Sequence, residues 1–470
     1  MLLLRALVAV FVLAKTPAAA RVVDIKFDPS LEMPADDPDT FETYTVHTCL
    51  KSLENDPKVA FSADQVLSNE EDFPWASQGW SKVSRVWPQG VVEVLNASQK
   101  RLGGGLGGLG PDGTFVMATE EQMNASLKTL ARLIACCRLT DTLFTIRSGG
   151  HCNAGCSSMA GTITFGIKGL NIVAPKDFAK DFAKDFTPWS LQRPWESPGT
   201  VEVGAGADAG QAAYMTFNES FRHDPNHPLF RVANVPVGFA GGLPVGQKPT
   251  VGMAGLTLGG GFGFHTRYAG LLCDRLIALD AVNPDTAEII HATKDNEHRY
   301  VASQPFLPPQ PMQPSPHLDT PFSKNTHSEL VWAACGGGGG NYAAVTKFTF
   351  QMMPICVVPS CTVIQLQHYM PQTLEHLLFF QDWSLKMDPR ITANLEVFNS
   401  TTNTIAGIWM GSLAEFRAAL ITSGLDKTTP FTLDELLASA TEVEYTQALI
   451  NLNGWDDVMQ AAKYVISVCS

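Results

Sequence analysis

The stretch Thr145-Ile146-Arg147-Ser148-Gly149-Gly150-His151 closes an apolar run that begins at Thr142. Leu143, Phe144 and Ile146 favour an extended strand, and Ser148, Gly149 and Gly150 end it in a turn. Paired glycines after a strand let backbone N–H groups approach an anion closely, because no Cβ stands in the way. His151 is then delivered beside whatever the turn holds. On these residues alone two readings stay open: a phosphate cradle with a histidine at its lip, or an ordinary tight turn followed by a surface histidine.

A second stretch favours the first reading. Pro249-Thr250-Val251-Gly252-Met253-Ala254-Gly255-Leu256-Thr257-Leu258-Gly259-Gly260-Gly261-Phe262-Gly263 is glycine-rich and uncharged. A flexible linker of that glycine content carries Ser, Lys or Glu rather than Val, Met, Leu and Phe. Glycines interleaved with core residues predict a buried loop lying flat against a large planar or anionic ligand. The theme returns in Trp332-Ala333-Ala334-Cys335, the glycines of 336–340, and Asn341-Tyr342-Ala343-Ala344-Val345-Thr346, ahead of an expected strand over 345–352.

In this order and spacing the three stretches resemble the FAD-binding core of the berberine bridge enzyme-like oxidases. These belong to the wider vanillyl-alcohol oxidase, or PCMH-type, flavoproteins. The likeness implies an α+β fold: a two-subdomain PCMH-type FAD-binding domain over 111–353, followed by an incomplete α/β substrate domain with an antiparallel sheet over 354–470. It implies FAD held by Arg147, Ser148, Gly149, Gly150, His151, Thr250, Val251, Gly252, Gly255, Leu256, Gly259, Gly260, Gly261, Gly263 and Val345. His151 takes the place of the family histidine that bonds covalently to the flavin 8α carbon. Such a bond raises the reduction potential and favours taking hydride from alcohols. The implied activity is oxidation of a small alcohol or sugar by hydride transfer to flavin N5, with O2 as acceptor and H2O2 as product.

The chain also departs from the family pattern. Lys248 stands where many members carry a second tethering cysteine, so a single tether is expected. Cys335 replaces the arginine before the glycine run, and Ala343 replaces a glycine after it. His151, Cys152 and Cys156 could be read as metal ligands; with no fourth ligand at suitable spacing, buried thiols or a disulfide are the expectation, and no metal. Asp382-Trp383 and the 407–411 segment fit the substrate domain loosely. The family's final segment, which usually carries the catalytic base, has no counterpart before Ser470, so the likeness implies a truncated relative and names no base. A catalytically impaired FAD-binding protein therefore stands beside the oxidase.

The rest of the chain sets the context. Its 470 residues allow two or three domains with a substantial core. A net charge of −13 argues against a nucleic-acid or anionic-membrane partner. Residues 1–20 read as a secretory signal, with Arg5, an apolar core and Ala18-Ala19-Ala20 for cleavage, and the mature protein as secreted. Ten cysteines fit that compartment; Cys356 and Cys361 would close a short loop, and Cys49 needs a distant partner. Asn96, Asn124, Asn218 and Asn399 lie in glycosylation sequons.

Residues 21–110 are irregular, with a glycine tract over 103–110. A helix is expected over 119–137, capped by Thr119 with Gln122 behind it. The apolar runs 162–165 and 167–173 precede a threefold Lys-Asp-Phe repeat over 176–186, read as an exposed insertion. Gly204, Gly206 and Gly210 follow a strand and open a helix, which invites a dinucleotide-binding reading although the spacing is one residue off; an NAD-dependent dehydrogenase is thus a third reading. Strands over 276–282 and 287–292 flank a turn at Asn283-Pro284-Asp285-Thr286, and the proline-rich 299–328 segment reads as a disordered insertion.

Overall fold

The structure, a computed structural model, describes residues 46–54, 90–94, 117–176, 199–222, 238–294, 328–357, 362–371, 373–397, 402–426, 429–443 and 445–453, all within one unit spanning Tyr44–Ser470. The 1–20 leader, most of the 21–110 segment, all but the first residue of the repeat, the 299–327 insertion, Asn96, Asn399, Cys361 and Cys469 lie outside the described residues.

The chain enters through α1 (Val46–Glu54) and β1 (Gly90–Glu93) and then forms α2 (Glu120–Leu139). The expected cap is present: the Thr119 hydroxyl accepts from the Gln122 N–H, and the Gln122 side chain accepts from the Thr119 N–H. Met123, Leu130, Leu133 and Ile134 recur at helical spacing and are buried. Cys136 on the same helix forms a disulfide with Cys49 of α1. A tight turn then feeds β2 (Leu143–Arg147), which pairs in parallel with β3 (Thr162–Gly166); β1 lines the other side of β3, in the order β1-β3-β2.

The second sheet is antiparallel. Residues 167–172 turn back, with the Leu170 N–H bonded to the Ile167 carbonyl, so the second apolar run is a corner and the strand starts only at its end, as β4 (Val173–Lys176). β5 (Thr200–Gly204), α3 (Ala209–Arg222), β6 (Gly238–Gly242), α4 (Met253–Leu258) and α5 (Thr266–Ala269) follow. A 3₁₀ turn at Leu272–Arg275 leads into β7 (Leu276–Val282) and β8 (Ile289–Thr293). The second hairpin strand begins two residues later than expected because Ala287 sits at φ 58°, inside the turn that the Asn283 side chain organises. After α6 (Ser328–Ala333), β9 (Ala344–Gln351) completes the order β4-β5-β9-β7-β8. Its inward residues Phe348 and Phe350 are fully buried, whereas Lys347 bridges Glu202 and Asp280 on the neighbouring strands.

β10 (Met353–Val357) pairs with β6 and leads to β11 (Thr362–Pro371), α7 (Leu374–Ser384), β12 (Ile391–Val397), β13 (Thr402–Gly411), α8 (Leu413–Thr422), α9 (Leu433–Ala438), β14 (Ala440–Val443) and α10 (Tyr445–Asn453). The antiparallel order β12-β13-β11-β14 carries its own core of Trp383, Trp409, Phe416 and Phe431. The buried Trp383 indole N–H is satisfied by Ser423 Oγ at 2.7 Å. Arg267 of α5 reaches across to the carbonyls of Ser384 and Met387, fastening this region to the glycine-rich one. Among the described residues no helix is long and apolar enough to cross a membrane.

Candidate functional site

β2 is held in place by pairing with β3 and by a 3.0 Å contact between the Thr145 and Thr164 hydroxyls. Its last residue, Arg147, is half-buried, and its carbonyl accepts from the Ile167 N–H. The chain then turns: Ser148 donates its hydroxyl to the Ala205 carbonyl at 2.6 Å, and Gly150 adopts φ 71°. A Cβ on Gly149 would lie 2.2 Å from the Gly252 nitrogen and 2.7 Å from the Thr250 carbonyl oxygen. A Cβ on Gly252 would lie 2.0 Å from Ser148 Oγ. Two motifs a hundred residues apart in sequence thus pack main chain against main chain, which only glycines allow.

His151 emerges from this junction half-buried, with Nε2 hydrogen-bonded to Thr250 Oγ1 at 2.9 Å. Burial lowers its pKa, against the opposing pull of Asp208, so the ring is neutral at neutral pH. Asp208 is ion-paired with Lys168; burial pushes its carboxyl up while Lys168 pulls it down. Neither residue was singled out from sequence as part of this site, because Asp208 sits inside the glycine turn that invited the dinucleotide reading.

That turn has a different role. Ala209 donates to the Val251 carbonyl, Met253 to that of Ala207 and Gly210 to that of Pro249, so residues 207–210 zip along the second motif. A Cβ on Gly204 would lie 2.1 Å from the Leu170 carbonyl oxygen, and one on Gly206 1.8 Å from that of Ile167. A Cβ on Gly210 would meet Pro249 at 2.9 Å. All three glycines are spent on contacts within the chain, so close packing of the chain on itself accounts for them without an NAD.

The second motif is not a loop throughout. Met253–Leu258 forms α4, because Met253, Ala254 and Thr257 fall on one face and are buried. The expectation of a uniform glycine cradle therefore needs correcting. Gly255 lies on the exposed side of α4, and a Cβ there would meet no heavy atom within 4 Å. Gly259 is also exposed, and Gly260 and Gly261 take φ 98° and 72°. Gly261 instead packs on Leu272, where a Cβ would come within 2.8 Å, and a Cβ on Gly263 would lie 2.1 Å from the Val245 carbonyl oxygen. Thr250, Val251 and Leu256 are half-buried at the junction and along α4.

The third motif joins through backbone. The Gly336 N–H donates to the Leu258 carbonyl at 3.1 Å, and a Cβ on Gly339 would touch Leu258 Cβ at 2.9 Å. Val345 is 4 % exposed on β9, paired in register with Ala281, so it supports the site from the sheet. Ala343 is buried, and Lys248, at the position of the missing second tether, is exposed. Cys152 and Cys156 form a disulfide, and no group of three metal-ligating side chains occurs among the described residues.

The assembly is a surface of bare main chain beside a neutral imidazole. With the open face at Gly255, it fits a ligand that combines a diphosphate with a flat ring system, as FAD does.

No protein-family model matches the chain. Curated relatives do. An uncharacterised FAD-linked oxidoreductase of Bacillus subtilis is 33 % identical over 199 residues, 40 % of this chain and 38 % of that protein. The glucooligosaccharide oxidase of Sarocladium strictum is 27 % identical over 179 residues, 38 % of this chain and 29 % of that protein. The chain thus spans well under half the length of the curated relatives it matches. Among solved structures, berberine bridge enzyme-like 1 of Physcomitrella patens superposes with a TM-score of 0.56 at 18 % identity, over 88 % of this chain and 65 % of that one. A glucooligosaccharide oxidase from Acremonium strictum, described with 6-S-cysteinyl, 8α-N1-histidyl FAD, gives 0.54 at 15 % identity over 87 % and 62 %. The α+β architecture is therefore that of the PCMH-type FAD-binding oxidases.

Proposed function

For a chain homologous to the berberine bridge enzyme-like, FAD-linked oxidoreductases, we propose a secreted flavin oxidase of small alcohols or sugars, carrying FAD on a single covalent bond from His151. The observation that carries this reading is the junction of Ser148–His151 with Thr250–Gly252, where a neutral imidazole stands beside main chain with no Cβ. When bound, the flavin supplies a hydride acceptor and returns the electrons to O2, giving H2O2.

The protein's own residues bind and orient. The hydrogen bond with Thr250 fixes the rotation of the His151 ring, and burial keeps a nitrogen lone pair available for bond formation. Bare main chain at Gly255 admits the ligand closely. The Lys168–Asp208 pair sets the electrostatics beside the imidazole. The exposed Lys248 limits attachment to one bond. Sugar or alcohol specificity is carried over from oxidase relatives that act on glucooligosaccharides, and secretion from the leader pattern and the disulfides Cys49–Cys136 and Cys152–Cys156.

The test is a peptide map of the purified chain beside a His151→Ala variant. The expected result is one flavin mass on the peptide containing His151 and none in the variant; an unmodified wild-type peptide refutes the tether. A flavinylated chain that yields no peroxide from a panel of oligosaccharides and primary alcohols keeps the cofactor and refutes the oxidase, leaving the impaired relative.

A further inference from the structure

Besides the two disulfides, Cys137, Cys273 and Cys335 are reduced, and the last two meet. Cys273 lies in the 3₁₀ turn at Leu272–Arg275 and is 3 % exposed. Cys335 lies in the turn that follows α6, at the start of the third glycine motif, and is half-buried. The Cys335 S–H donates to the Cys273 carbonyl at 3.2 Å, and the two thiols lie within hydrogen-bonding reach of each other. Backbone bonds fix both: Cys273 donates to the Gly260 carbonyl at 3.0 Å, and Gly336 donates to that of Leu258 at 3.1 Å. The pair therefore straddles the 258–261 loop, where the second and third glycine motifs touch.

The chemistry is asymmetric. A hydrogen bond from Cys273 lowers the Cys335 pKa and Lys294 adds to the effect, against burial and Asp274. The hydrogen bond with Cys335 and burial raise that of Cys273. The first thiolate thus forms on the more accessible sulfur. Cys137, the third thiol, is buried on α2 and pushed up to about 12.

We propose that Cys273 and Cys335 form a third disulfide by exchange with a low-molecular-weight disulfide, clamping the third glycine motif onto the second. The Cys335 thiolate attacks a sulfur of oxidised glutathione, forming a mixed disulfide and releasing one glutathione thiolate. Cys273 loses its proton to solvent and attacks Cys335 Sγ, expelling the second glutathione thiolate. The pair is oxidised by two electrons, and one glutathione disulfide is reduced to two thiols. The new bond closes a loop with a sequence separation of 62, which by the chain-entropy account shifts the unfolding equilibrium by up to about a thousandfold. No step involves flavin, so this inference stands or falls separately from the proposed oxidase.

The experiment incubates the full chain with oxidised glutathione, blocks residual thiols with N-ethylmaleimide and maps peptides without reduction. The expected product is the Cys273 peptide joined to the Cys335 peptide, lighter by two hydrogens than their sum. In Cys273→Ser treated alike, Cys335 holds a glutathionyl adduct that no longer resolves. Wild-type protein in which both thiols stay maleimide-labelled, in which Cys335 retains glutathione, or in which it pairs with another cysteine overturns the proposal. Equal urea midpoints for the oxidised wild type and Cys273→Ser would overturn the clamp.

Discussion

Gly255 offers a perturbation that separates the stability of the fold from the fit of its ligand. It lies within α4, has no positive φ, and a Cβ there meets nothing within 4 Å. In the ligand-free chain Gly255→Ala therefore introduces no clash and removes backbone entropy from the unfolded state, a gain of about 0.5–1 kcal/mol. If that open face receives the flavin, the same methyl intrudes on it. Overpacking of this kind costs about 1–3 kcal/mol, which weakens binding roughly fivefold to 150-fold. Both changes belong in a His151→Ala background, so that covalent attachment does not mask the binding equilibrium. Urea unfolding followed by tryptophan fluorescence reads the first effect, and quenching of flavin fluorescence on titration reads the second. The control is Gly252→Ala, whose Cβ would lie 2.2 Å from the Gly149 nitrogen; main chain cannot swing aside, so the fold itself loses roughly 3 kcal/mol or more. Gly255→Ala protein that is stabilised yet binds flavin undiminished would refute the assignment of that face to the cofactor.

Three further outcomes follow from the packing. His265 is 1 % exposed, both its ring nitrogens lack partners, and burial lowers its pKa to about 4. The folded state therefore binds fewer protons than the unfolded one between that value and the ordinary 6.5, and stability falls by up to about 3 kcal/mol as pH drops through this window; His265→Leu should flatten the curve of urea midpoint against pH, and an unchanged slope counts against the assignment. Arg267→Ala removes two charge-assisted bonds to the Ser384 and Met387 carbonyls, with an expected cost of about 2–4 kcal/mol and faster proteolysis after α5; unaltered denaturation and digestion would contradict it. Cys49→Ser opens a bridge across 87 residues and should cost about 2–5 kcal/mol, whereas Cys152→Ser opens one across only four and should cost less; calorimetry of the two variants gives the ranking.

The sequence made the three glycine motifs and several elements legible, for local reasons. Thr119 and Gln122 announce their capping box three residues apart, and Leu143 to Ile146 announce a strand by composition. What stayed hidden depends on facts remote in sequence. The pattern cannot tell a glycine that faces a ligand from one that faces its own chain: Gly255 is open, but Gly149, Gly252, Gly261 and Gly263 are filled by neighbours. Nor could it show that Gly204, Gly206 and Gly210 face residues 167–170 and Pro249, since their spacing mimics a nucleotide turn. The helix at Met253–Leu258 was masked by its glycine content, and burial of Met253, Ala254 and Thr257 overrides that weak propensity. The meeting of Cys273 with Cys335 had no local signal at all.

The candidate site has no independent existence in any one segment. The Ser148 hydroxyl bonds the Ala205 carbonyl, while Ala209 bonds Val251, Leu272 bonds Gly261 and Gly336 bonds Leu258 through main-chain groups, so four remote pieces of chain hold one another. In the unfolded chain none of these bonds exists, and a ligand that needs bare main chain on several segments binds the folded state alone. Such a ligand stabilises the fold by mass action, by about 2.7 kcal/mol at a hundred times its dissociation constant. The His151 imidazole is positioned only when Thr250 has docked beside it, so the proposed tether requires covalent attachment to follow folding. Flavin mass on the His151 peptide is then a record of how many molecules assembled the junction. Variants that part the loops, such as Gly252→Ala, should lose that mass in proportion to their unfolded fraction, whereas Thr250→Val should keep the fold and lose the mass, because only the hydrogen bond that orients the ring is gone.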